Sequence, residues 1–173
     1  MKLFEAIPLS VFVFYIRYMD LDTVEDWNRA FLISGVVAFL ATLFLITQKI
    51  NLSRIFLGVN LYLISAAMAI VSEQFWLNEI YAELHASGML IWVVMVGLGS
   101  MLLSPQGFIG VDSPDKQNIN KCSLLLLFTA ICAFGLSFTF RGNIILSEAI
   151  PFILIFAMQH ILTRKMTRMK GLV

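Results

Sequence analysis

Long uncharged apolar stretches alternate with short polar ones along the whole chain: Ala30–Gln48, Ile55–Ser72, Leu84–Val111, Cys122–Phe140 and Ala149–Thr163, preceded by a shorter one, Ala6–Ile16. A helix needs about 20 apolar residues to cross a hydrocarbon core of about 30 Å. The pattern therefore predicts five full spans. Leu84–Val111 is long enough for a span plus an exit at Ser104-Pro105, and the fifth span runs from about Asn143 to Leu162, carrying Glu148 and Pro151 beside the apolar run from Ile150 to Met158. The first segment, Ala6–Met19, offers roughly 21 Å of helix at the standard rise and is predicted to be a sixth span or a partial one. Pro8 interrupts it early and no small-x-small cleavage site precedes Arg17, so it reads as a retained helix rather than a cleaved signal.

The connections carry their own pattern. From Glu73 to Leu84 the residues Trp76, Leu77, Ile80, Tyr81 and Leu84 share one helical face, while Glu73, Gln74, Asn78 and Glu79 take the other. This predicts a short interfacial helix, serving as an aromatic anchor or as a docking site for an envelope partner. Ser104-Pro105-Gln106-Gly107 is expected to end one helix. Ser113 as N-cap with Pro114 at the first helical position is expected to begin the next, with Asp112 and Asp115 suited to that helix start.

Composition fixes the class. Of 173 residues, 60% are hydrophobic and only 13% charged, with mean hydropathy +0.88, against about 45–50% and about 25% in soluble domains. No soluble catalytic domain fits outside the bilayer, and there is neither a GxGxxG nor a GKS/GKT phosphate loop. The expectation is an all-α, polytopic transmembrane bundle, residues 1–173 forming a single integral membrane domain that binds no nucleic acid.

Charge supplies an orientation. With the C-terminal Arg164, Lys165, Arg168 and Lys170 cytoplasmic, Lys49, Arg54, Lys116 and Lys121 fall on the same side, eight basic residues against Arg17, Arg29 and Arg141 opposite. The acids Asp20, Asp22, Glu25, Asp26, Glu73, Glu79 and Glu83 then all lie outside. A net charge of +1 offers no global attraction to acidic partners.

Candidate chemistry is sparse. Cys122 and Cys132, ten apart on one helix, are about 15 Å apart and cannot bridge. Without CxxC or HxxxH, and with His85 and His160 at opposite membrane faces, no metal, heme or other cofactor is expected. The serines lack a partnered base, so no enzyme is expected either. Ionisable and polar groups at membrane depth are expensive and each marks a candidate site. Arg17 and Asp20 can pair at i, i+3; Arg141 and Glu148 share a face if the last helix begins at Arg141; Asn60 sits six residues into the third apolar stretch. These five form a candidate polar cluster, either interhelical glue or the path of a small proton or solute carrier or channel through Arg17, Asp20 and Glu148.

The opening run from Leu3 to Asp20, with Pro8-Leu9, a phenylalanine-rich stretch through Phe12 and Phe14, then Arg17 and Asp20, resembles the start of the intracellular septation protein A family of bacterial inner-membrane proteins. Chain length, span number and the basic turn from Lys49 to Arg54 are similar as well. The resemblance implies a multi-pass inner-membrane protein of cell-envelope maintenance or septation, acting through contacts with membrane proteins of envelope synthesis or division, with no catalytic site to carry over. A homo-oligomer is a further expected option.

Overall fold

The computed structural model describes residues 2–19, 23–48, 52–112, 115–141, 143 and 145–170, with the side chains of 2, 3, 169 and 170 left aside. Its elements among the described residues are helices: α1 (Lys2–Tyr18), α2 (Val24–Thr47), α3 (Arg54–Val71), α4 (Phe75–Leu84), α5 (Ala86–Leu103), α6 (Lys116–Thr139), a π-helical turn (Ile145–Ala149) and α7 (Ile150–Lys170). Five are long and apolar enough to cross a membrane: Val24–Thr47, Arg54–Val71, Ala86–Leu103, Lys116–Thr139 and Ile145–Arg168. The fold is thus the all-α polytopic one that the apolar pattern predicts. With 17 residues, α1 extends only about 25 Å.

Local chemistry sets the helix ends. Thr23 caps α2 in a capping box: its hydroxyl accepts from the Asp26 N–H at 3.2 Å and donates to the Asp26 carboxylate at 2.6 Å. The α6 N-cap is Asp115, whose carboxylate accepts the Asn118 N–H at 3.1 Å; the expected Ser113-Pro114 start lies outside the described residues. At the end of α3 the N–H of Gln74 reaches the Ala69 carbonyl (2.8 Å) and that of Glu73 the Ile70 carbonyl (3.1 Å), a Schellman closure. Its left-handed position is occupied by Glu73 at φ 57° where glycine is usual. The last span begins in a π-helical turn because Pro151 has no N–H to offer the Ser147 carbonyl, so the preceding turn cannot close in the α pattern.

The chain packs as two compact units, residues 1–52 with 59–84 and residues 53–58 with 85–173, the division falling inside α3. In the first unit an aromatic row links all four helices: Phe12 to Phe31 (5.0 Å between centroids), Phe31 to Tyr62 (6.0 Å) and Tyr62 to Tyr81 (4.6 Å). α2 and α3 meet at Gly35, where a Cβ would strike that of Ala67 and come within 2.7 Å of the Leu63 carbonyl oxygen.

In the second unit α6 packs beside both α5 and α7, and Gly58 at the start of α3 lies against the Val93 backbone, which a Cβ would approach to 2.7 Å. The connection between α5 and α6 turns back inward: Phe108 is fully buried, close enough to α5 that a Cβ on Gly97 would lie 3.0 Å from its ring, and the Ile109 N–H donates to the Ser123 hydroxyl of α6 at 3.3 Å. Gly107 (φ 59°) and Gly110 (φ 69°) supply the left-handed turns this path needs.

Candidate functional site

Of the five residues of the expected polar cluster four are described, two in each unit. In the first unit Arg17 ends α1 exposed, and Asp20 lies outside the described residues, so their pairing does too. Asn60 is fully buried and donates from Nδ2 to the Thr42 hydroxyl at 3.0 Å, while its Oδ1 has no hydrogen-bond partner among the described residues. In the second unit Arg141 stands in the turn after α6 rather than at the head of the last span, its guanidinium 3.7 Å above the Phe138 ring. Glu148 is exposed on the π-helical turn. The shared two-turn face expected for Arg141 and Glu148 does not form, because the last span begins after Arg141, and no ion pair joins them among the described residues.

A short helix, α4 (Phe75–Leu84), forms within the expected Glu73–Leu84 stretch, and its apolar face divides. Tyr81 is only 6% exposed; its hydroxyl shares a 2.8 Å hydrogen bond with Ser65 of α3 and its ring packs tilted against that of Tyr62. Leu77, one turn earlier, is half-buried. Trp76 and Ile80, the other i, i+4 pair, stay 58% and 42% exposed, with Phe75 beside them at 49%. Around this ridge stand the exposed carboxylates of Glu73, Glu79 and Glu83. Both ends of α4 are strained: Glu73, and His85 at φ 49°, are the two non-glycine residues with positive φ among the described residues.

A second polar group, in the second unit, was weighed in the sequence only as positive charge. Arg54 at the start of α3 is half-buried and donates from Nη2 to the Ser104 hydroxyl at 3.3 Å and the Gln106 side-chain oxygen at 3.4 Å. The Gln106 amide in turn donates to Asp112 at 2.7 Å. On the same stretch Gln159 of α7 donates to the Ser53 hydroxyl at 3.0 Å. The available signal was the placement of Arg54 directly against an apolar run, with hydrogen-bonding residues clustered in a turn on the same predicted side.

Chemically, the α4 ridge can bury apolar surface against a partner, and the Arg54 group can hold an anion. Among the described residues no three or more His, Cys, Asp or Glu converge as metal ligands. No protein-family model matches the chain, and neither a curated protein nor a solved structure matches it.

Proposed function

We propose that this multi-pass membrane protein is a non-enzymatic, septation protein A-like component of the bacterial inner membrane, with a cytoplasmic C-terminus, that works by binding another membrane protein of envelope synthesis or division through the outward ridge of α4. The divided face of α4 carries this reading. Tyr81 and Leu77 fix the helix to its unit, and Phe75, Trp76 and Ile80 remain available on a short rigid element.

Charge favours a protein over lipid as the occupant. An aromatic anchor commonly works alongside lysine or arginine that pairs with lipid phosphates. Residues 73–84 contain no lysine or arginine and three carboxylates, which phosphodiesters repel. A partner with an apolar groove and a basic rim complements both features. The strained Glu73 fits the same purpose, since glycine would close α3 at lower cost but would remove one carboxylate from the rim.

Photoactivatable residues placed singly at Trp76 and Ile80 in native membranes test the proposal, with Phe128, exposed on α6, as the control. Positions 76 and 80 are expected to form adducts with one envelope-synthesis or division protein, lost when Glu79 and Glu83 are changed to lysine, while position 128 labels lipid. Protein adducts absent at 76 and 80, or insensitive to the charge reversal, would overturn it.

A further inference from the structure

We propose that Arg54 holds the phosphodiester of an anionic phospholipid at the membrane surface. A guanidinium carries five N–H donors and no acceptor. In Arg54 the described bonds use Nη2 alone, at 3.3 and 3.4 Å to two neutral oxygens, beyond the usual 2.7–3.2 Å range for N–H···O. Its Nε is buried without a hydrogen-bond partner among the described residues. The Gln106 amide, on the other side, donates to Asp112 at 2.7 Å, so Gln106 stands between Arg54 and a carboxylate in this network. A half-buried charge satisfied only by neutral groups favours an anion, and phosphate oxygens match the paired donors of a guanidinium edge.

The surroundings select a lipid as the source. Arg54 begins a candidate span, which places its side chain at headgroup depth. It packs beside the turned-in connection: a Cβ on Gly110 would lie 4.0 Å from the Arg54 Cγ, and neighbouring Ile109 is bonded to Ser123 on α6. The first turns of α6 expose Lys116 and Lys121, and the last turns of α7, which packs along α6, expose Arg164, Lys165 and Arg168. Five exposed cations in the same unit draw an anionic leaflet toward the pocket, and each exposed cation adds to that attraction. Arg54, unlike these five, is held by side-chain hydrogen bonds that fix a headgroup's position.

The full-length protein in nanodiscs of phosphatidylcholine with and without phosphatidylglycerol supplies the test, read as phosphatidylglycerol molecules retained per chain after extraction and as thermal stabilisation by that lipid. Arg54→Gln is expected to lower retention about tenfold, the scale of a charge-assisted bond, with partial recovery in Arg54→Lys. The triple change Arg164→Gln, Lys165→Gln, Arg168→Gln should reduce retention only at low salt. Should Arg54→Gln fail to fold, Asp112→Asn decides: removing the acid behind Gln106 should raise retention, and unchanged retention overturns the proposal. Wild-type retention in a folded Arg54→Gln protein overturns it as well. Equal stabilisation by inorganic phosphate without phosphatidylglycerol would assign the pocket to free phosphate and overturn the lipid assignment.

Discussion

Single residues govern how closely these helices approach and where they turn. Gly35 and Gly135 look alike in the sequence, yet a Cβ at Gly35 meets Ala67 and the Leu63 carbonyl, while one at Gly135 meets nothing within 4 Å. Gly35→Ala should therefore cost about 1–3 kcal/mol through overpacking, and Gly135→Ala should be neutral or gain up to about 1 kcal/mol from helix propensity. Unfolding of the two variants in detergent micelles checks the contrast. Glu73 sits in a left-handed conformation that costs an L-residue about 1–2 kcal/mol. Glu73→Gly is expected to stabilise the α3–α4 turn and to weaken partner binding at the ridge, so stability and crosslinking should move in opposite directions. Asn60 and Thr42 form the buried side-chain bond inside the first unit. A double-mutant cycle with Asn60→Leu and Thr42→Val should give a coupling near 0.6 kcal/mol, the average for such bonds in membranes, and zero coupling would mean the bond contributes nothing.

At the scale of elements, the period of the apolar residues was enough to place the spans, because length and hydropathy alone decide whether a helix can cross. The same period could not divide the face of α4. Trp76, Leu77, Ile80 and Tyr81 are equivalent by spacing, and only the tertiary bond from Tyr81 to Ser65 and its ring contact with Tyr62 separate the inward pair from the outward one. Likewise the last span was legible as apolar, but not where it starts: its helix begins at Ile145, in a π-helical turn before Pro151, so Arg141 lies outside it and shares no helical face with Glu148. Arg54 was counted for orientation and not as a site, since its partners Ser104 and Gln106 are fifty residues away in sequence and are brought to it by the inward turn at Phe108. Tyr81→Phe is expected to loosen α4 by about 1 kcal/mol, visible as faster amide exchange across Phe75–Leu84. Trp76→Ala and Ile80→Ala, on the exposed side, should leave that exchange unchanged.

For the whole molecule, the proposed topology rests on five apolar helices and the uneven distribution of charge. Lysine and arginine gather at 49–54, 116–121 and 164–170, while the acids gather at 20–26 and 73–83. The proposed lipid contact of Arg54 belongs to the basic connections, and the proposed docking ridge of α4 to the acidic ones. Each additional or missing span would exchange the sides of every later connection. Reporter fusions at about residues 24, 51, 80, 115 and 170 measure this directly: five spans predict that 24 and 80 read on the outer side and 51, 115 and 170 in the cytoplasm, whereas a clear reversal at any one of these positions would contradict the topology on which both proposed surfaces rest.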